Sequence, residues 1–306
     1  MLNNLQIEAI VPTHGAGQAF LECIDSLLAQ TYPLQRIIVI DNNVRDGSIQ
    51  QLRDKFNLAE SSQIGDTALE IFSLPDNTGV TGGRNAGIAR LSDNFDAALF
   101  VDHDMVAEPD MLQQLLETLS KHPEAGIITP KIYYHDQRNI IWAAGTDINL
   151  RTGQTIFYGG EDQGQYDTER QVAVAPATFL VTQKTLQAVG LFDTHYFATY
   201  EDTDFCFSAQ GAGFQTWYSP KAVTYHKIPY DPQAAMQRLL ERTYYVARNR
   251  IIFMKKFSPN FLFFVPFLSL YCIYYLILSL KYRQFTAISN YLKGTADGLF
   301  YKVTRT

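Results

Sequence analysis

Four times before residue 105 the chain repeats one pattern: a short apolar run, a polar stop, then apolar residues at helical spacing. The runs are Ile7–Val11, Arg36–Ile40, Leu69–Leu74 and Ala97–Val101. They stop at Thr13-His14, Asp41-Asn42-Asn43, Asp76-Asn77-Thr78 and Asp102-His103-Asp104. Buried parallel strands read as continuous apolar runs, and a helix between successive strands is the usual connection that parallel pairing requires. The spacing predicts helices around Phe20–Leu28, Ser48–Phe56, Thr81–Leu91 and Pro109–Ser120. The alternation predicts an α/β domain with all four polar stops on the carboxyl edge of one sheet, where such sheets bind ligands.

From about residue 126 the pattern changes. Ile140–Ala144 and Gly153–Tyr158 read as hairpin strands, and Val172–Val181 as a buried strand. Helices are expected over Gln183–Val189 and Asp202–Gln210, then strands near Thr216–Tyr218 and Ala222–His226. No repeat or low-complexity linker interrupts this stretch, so residues 1–230 read as one domain and 231–306 as a C-terminal segment. That segment predicts a helix over Pro232–Lys256, then twenty uncharged residues, Phe261–Leu280, long enough to cross a bilayer.

Charge divides at the same boundary. From Asp231 onward the net charge is +8, against −14 before it. The acidic body argues against a nucleic-acid groove, which needs clustered Lys and Arg. The basic tail suits an anionic phospholipid surface. Five basic residues lie on each side of the apolar stretch, so no orientation follows, and Pro266 leaves a re-entrant or interfacial placement open. Cys23, Cys206 and Cys272 lack metal-ligand spacing and read as free thiols of a reducing compartment. Met1–Glu8 has neither the basic nor the apolar region of a secretory signal.

The polar stops carry the chemistry. Asp102 and Asp104, one residue apart at a strand end, suit Mg²⁺ or Mn²⁺ and the hydroxyls of a ribose. Alone, a D-x-D is weak evidence; converging with Thr13, Asp41 and Asn77 it reads as a nucleotide site. The Asp41 carboxylate could accept from the ring N–H of a uracil or thymine, or simply cap a turn. Gly79–Gly87 opens a helix with four glycines, and Arg84 within it could pair with a diphosphate or base. No dinucleotide fingerprint or Walker sequence is present. Tyr200-Glu201-Asp202-Thr203-Asp204 sets three carboxylates in four residues, where Asp202 could be a general base or a helix N-cap. His226 closes the last strand and could join a metal or be structural.

Taken as a set, V-P-T-H, V-I-D-N-N, N-T-G-V-T-G-G-R-N-A-G-I, F-V-D-H-D, G-L-F-D and Y-E-D-T-D-F resemble the inverting family-2 glycosyltransferases of GT-A fold. Tyr225-His226-Lys227 and Ala247–Lys256 are similar to the rhamnosyltransferase-like branch in particular. The resemblance covers about residues 7–256. It implies a Rossmann-like mixed sheet flanked by helices, with membrane-associated C-terminal helices. It implies a dTDP- or UDP-sugar donor, Mg²⁺ or Mn²⁺, and a glycan or lipid-linked acceptor at the cytoplasmic face of a membrane. On it, Asp41 would contact the base, Arg84 the donor nucleotide or diphosphate, and Asp102 the ribose or metal. Asp104 would ligate the metal with His226 as a possible further ligand. Asp202 would be the catalytic base, with Glu201 orienting the acceptor. Val44-Arg45 and Ser208 depart from the family pattern and leave the donor open. A sugar nucleotidyltransferase, or a non-catalytic membrane scaffold of the same fold, are the other readings; the first lacks its basic phosphate loop after the first strand.

Overall fold

The four apolar runs build the parallel heart of the sheet. The computed structural model describes residues 5–58 and 61–303. Chain order is β1 (Ile7–Thr13), α1 (Gln18–Leu28), β2 (Arg36–Asp41), α2 (Ser48–Phe56), β3 (Ser61–Ile64), β4 (Thr67–Ser73), α3 (Gly79–Ile88), β5 (Ala97–Val101) and β6 (Met105–Ala107). Then follow α4 (Met111–Lys121), β7 (Ala125–Tyr134), β8 (Ile140–Ala143), β9 (Thr146–Asn149), β10 (Gln154–Phe157), β11 (Gly160–Glu161), β12 (Arg170–Gln171), β13 (Thr178–Thr182) and α5 (Gln183–Val189). The chain continues through α6 (Glu201–Gly211), β14 (Gln215–His226), α7 (Pro232–Glu241), α8 (Thr243–Phe257), α9 (Val265–Lys281) and α10 (Phe285–Phe300).

The sheet runs β11-β8-β7-β13-β5-β1-β2-β4-β3, with β5, β1, β2 and β4 parallel and β13 inserted antiparallel beside β5. Side-chain alternation along each strand supplies two cores. Ile7, Ala9, Val11, Ile37, Val39 and Leu99 pack on one face against Phe20, Ile24, Leu112 and Leu116 from α1 and α4. Ile10, Ile38, Ile40 and Phe100 pack on the other against Leu186, Phe205 and Ala209 from α5 and α6. Helices on both faces leave the carboxyl edge of the parallel strands as the open one.

Four expectations change. Ile140–Ala144 and Gly153–Tyr158 do not pair with each other: β8 joins β7 and β11, while β9 and β10 form a separate ribbon. Gly145 turns the chain between them at φ +76°, a left-handed conformation tolerated chiefly by glycine. Val172–Val181 is a strand only over β13. The two closing strands are one, β14, parallel to β7 and irregular between Ser219 and Val223 around Pro220. The helix over Pro232–Lys256 is two, α7 and α8, parted at Arg242.

The C-terminal helices lie on the domain. A side chain at Gly294 of α10 would collide with the Tyr244 carbonyl of α8, and one at Gly298 would approach the Arg248 carbonyl to 2.9 Å. The two helices thus touch backbone to backbone. Phe261–Lys281, with a mean hydropathy of 2.2, leaves most of its surface uncovered; Leu270, Ile273, Ile277 and Leu280 of α9 are all exposed.

Candidate active site

Two of the four strand ends are joined through one buried amide. Asn42, just past β2, donates to Asn77 Oδ1 (3.1 Å) and the Gly79 carbonyl (2.9 Å), and accepts from the Thr78 N–H (2.8 Å). It latches the end of β2 to the loop that starts α3. Beside it Asp41 accepts from the Val44 N–H (2.8 Å) and the Ser73 hydroxyl (2.7 Å). Thr13 is buried at the end of β1, and its hydroxyl accepts from the Gly15 N–H (3.2 Å). Thr13, Asp41 and Asn77 therefore share the edge the sequence assigned them. Sequence reasoning gave Asn42 no role of its own.

Arg84 lies inside the fold. Gly87 of α3 sits where any side chain would collide with Ile10, and a side chain at Gly83 would come within 2.8 Å of Pro12. These contacts bring α3 hard against β1, and Arg84 is fully buried. Its Nη2 donates to Asp102 Oδ1 (2.9 Å) and its Nη1 to Asp202 Oδ1. The rings of Phe179 and Phe192 each lie 5.2 Å from the guanidinium carbon. With no exposed face and two carboxylates in hand, Arg84 ties the site together. The sequence alone does not show that the helix face carrying Arg84 is pressed inward.

Arg84 brings Asp102 and Asp202 together from residues 100 apart in the sequence. Asp202 Oδ2 also accepts from the Ala177 N–H at 3.4 Å. Burial raises the Asp202 carboxyl above the usual range while Arg84 pulls it down. Burial and the charge of Asp202 push Glu201 up to about 8, against the pull of Arg84, and its buried Oε2 has no partner. Asp104 goes the other way. Burial would raise it, but His226, hydrogen-bonded Nε2 to Oδ2 at 3.2 Å, and His103 outweigh that and hold it at about 2.

Asp104 and His226 fit a divalent cation by their chemistry: an ionised carboxylate beside an imidazole, Trp142 edge-on to the ring at 4.5 Å, and the buried Nδ1 without a partner. Mn²⁺ accepts oxygen and nitrogen ligands, and Mg²⁺ commonly takes one or two carboxylates with substrate phosphates. Among the described residues no group of three or more potential ligands is gathered, so a diphosphate would have to complete such a shell. The Asp102 side chain is a third exposed, with one oxygen committed to Arg84.

The start of α6 is braced from the C-terminal helices. Lys256 of α8 pairs with Asp193 (3.2 Å) and Asp204 (2.5 Å), and Asn249 donates to the carbonyls of Ala198 and Thr199. Thr199 and Tyr200 both take left-handed conformations, φ 64° and 70°, directly before Glu201. The paired lysines and the G-L-F-D stretch were visible in the sequence as motifs; that one grips the other was not.

This architecture is that of GT-A nucleotide-sugar transferases. It aligns with a mannosyltransferase from Pyrobaculum calidifontis, solved with GDP-Man and Mn²⁺, at a TM-score of 0.60 and 14% identity over 98% of this chain and 88% of that one. The profile for glycosyl transferase family 2 matches residues 8–184, and that for glycosyl transferase family group 2 matches 98–294. The chain belongs to glycosyl transferase family 2. It is 31% identical over 124 residues to a glucosyl-dolichyl phosphate glucuronosyltransferase of Haloferax volcanii, covering 40% of this chain and 36% of that protein. It is 21% identical over 243 residues to the O-antigen chain rhamnosyltransferase RfbN of Salmonella typhimurium, covering 78% and 71%. Across four other matches, that Haloferax protein among them, the chain spans only 16–40% of the relative's length.

Proposed function

We propose that this chain transfers a sugar, with inversion, from a nucleoside diphosphate donor such as a dTDP- or UDP-sugar to a hydroxyl of a glycan or lipid-linked acceptor, in a metal-dependent reaction. The observation that carries the proposal is the Asp102–Arg84–Asp202 bridge, which ties a carboxylate of the donor edge to one at the start of α6. Asp202 would remove the acceptor proton as the hydroxyl attacks the anomeric carbon from the face opposite the diphosphate. A base does this only while ionised, and Arg84 opposes the effect of burial on it. Glu201, protonated below pH about 8, has an O–H to offer the acceptor.

On the donor side, Asp41 would accept from the base N–H, with Thr13 and Asn77 beside the nucleoside and the free oxygen of Asp102 on the ribose or metal. Asp104 and His226 would hold Mg²⁺ or Mn²⁺, which supplies positive charge for the departing diphosphate. Support for the donor class comes from the similar mannosyltransferase bound to GDP-Man and Mn²⁺. Support for a polysaccharide or lipid-phosphate acceptor comes from the names of the Salmonella and Haloferax relatives. The uncovered apolar face of α9 and the basic tail support placement at the cytoplasmic face of a membrane, in cell-envelope synthesis. We treat residues 1–230 as the catalytic unit and 231–306 as its membrane-associated extension.

The test is nucleoside diphosphate release from a panel of UDP-, dTDP- and GDP-sugars with Mn²⁺ or Mg²⁺. Release from one donor that disappears in Asp104→Asn and Asp202→Asn supports the reading and names the base. Failure of UDP, dTDP and GDP even to bind overturns it in favour of a non-catalytic scaffold.

A further inference from the structure

Buried cations elsewhere in the chain are matched by carboxylates. Arg84 has Asp102 and Asp202; Lys131 has Asp162 and Asp167. Arg250 of α8, only 8% exposed, has phenols instead. Its Nε donates to the Tyr200 hydroxyl at 3.2 Å, its guanidinium carbon lies 3.9 Å from the centre of the Tyr271 ring, and its buried Nη1 has no hydrogen-bond partner. Its other electrostatic neighbours are Tyr275, which also hydrogen-bonds the side chain, and Tyr291. Phenols ionise near pH 10 and are neutral at pH 7, whereas a guanidinium keeps its charge. Among the described residues, then, this buried charge lacks a counter-charge, which is costly wherever it persists.

The surroundings identify the missing anion. Tyr200 is the residue from which α6 sets out, followed at once by Glu201 and Asp202. Tyr271 belongs to α9, whose outward face is apolar, and its hydroxyl is tied to the Thr152 carbonyl at 3.0 Å, closing over the guanidinium. An anion at Nη1 would stand between the start of the base-bearing helix and a surface suited to acyl or isoprenoid chains. A phosphate is the anion that an arginine fork holds best.

We propose that Arg250 is the receptor for the phosphate of a lipid-linked acceptor, which enters by displacing the Tyr271 ring, with its hydrocarbon along α9 and its sugar hydroxyl toward Asp202. This rests on the transferase reading and narrows its acceptor to a lipid phosphate.

The experiment uses the full chain in neutral detergent and follows its thermal midpoint with three probes: a long-chain alkyl phosphate, the matching alkyl alcohol, and inorganic phosphate. The wild type should be stabilised by the alkyl phosphate at concentrations about tenfold or more below those needed for the alcohol, since a charge-assisted Arg–phosphate pair adds to the apolar contact. Stabilisation by inorganic phosphate alone, with no advantage for the alkyl phosphate, assigns the site to a free anion and overturns the lipid-linked acceptor. Arg250→Gln should abolish the preference for phosphate over alcohol and Arg250→Lys should keep part of it, both binding UDP, dTDP or GDP as the wild type does. Equal response to alkyl phosphate and alcohol in the wild type sinks the proposal without recourse to a variant. Loss of nucleotide binding in the wild type is a separate result: it removes the transferase reading and this refinement with it.

Discussion

Two acidic pairs, Asp102–Asp104 and Glu201–Asp202, are joined through Arg84, and Asp104 on one side and the α6 pair on the other are driven in opposite directions. At the end of β5, Asp104 is held at about 2 by His226 and His103 despite burial. At the start of α6, burial raises both Glu201 and Asp202, helped by the charge of Asp202 on Glu201 and of Asp102 on Asp202, against the pull of Arg84. The residue types are nearly the same; what differs is whether the neighbours are imidazoles or another carboxylate. Sites that run acid and base chemistry separate their carboxylates in this way. The permanently ionised group suits a cation, and the pair with raised pKa suits proton transfer.

The contrast breaks most sharply at Asp202. Asp202→Asn keeps the shape but cannot take a proton, and turnover should fall about 10²–10⁴-fold with nucleotide affinity little changed. Steady-state release of nucleoside diphosphate, with nucleotide titration alongside, measures both. Removing the link between the two pairs comes next. Arg84→Met leaves Asp202 buried, and Asp102 partly so, without their cation and should cost about 3–5 kcal/mol in denaturant unfolding. A loss under ~1 kcal/mol would mean that the bridge is not a structural tie.

On the other side of the comparison, Asp104→Asn should raise the Mn²⁺ concentration needed for half-maximal activity by at least the roughly 10–100-fold seen when a metal's supporting residues are removed. His226→Ala should shift it the same way, and metal titrations that overlay the wild type would separate these residues from any cation. The smallest expected effect is on pH dependence. The folded value of Glu201, about 8, lies above its ordinary 4.5, so between those values the native chain holds a proton that the unfolded chain has lost. The contribution of Glu201 to stability is therefore full below pH 4.5 and declines as pH rises toward 8. Thermal unfolding across that window should show the decline in the wild type and a flatter profile in Glu201→Gln.

The parallel half of the fold was legible because each of its strands is a largely apolar run, Glu8 in β1 and Glu70 in β4 aside, with its own helix. Of its elements, only the short β3 and β6 went unseen. The antiparallel half was harder for a physical reason: β7 carries Pro130 and Lys131 inside it, and Lys131 is buried only because Asp162 and Asp167 meet it there. No local periodicity announces such a strand. The same division runs through the site. Thr13, Asp41, Asn77, Asp102 and Asp104 could be placed on one edge because strand ends are fixed by the strands. Arg84 could not, because its direction depends on how deeply α3 settles on β1. Gly83 and Gly87 were the available signal, since two small residues four apart on a helix announce a close neighbour and therefore a buried face.

The crossing of α8 and α10 at Gly294 and Gly298 has a mechanical consequence. The helix gripped there is the one whose Asn249 and Lys256 hold the segment leading into Asp202. With backbone on backbone there is no compliant layer of side chains between α8 and α10 at that crossing. α8 and α10 thus form one stiff strut, and the segment leading into Asp202 is mounted on it through Asn249 and Lys256 like a part on a fixed bracket.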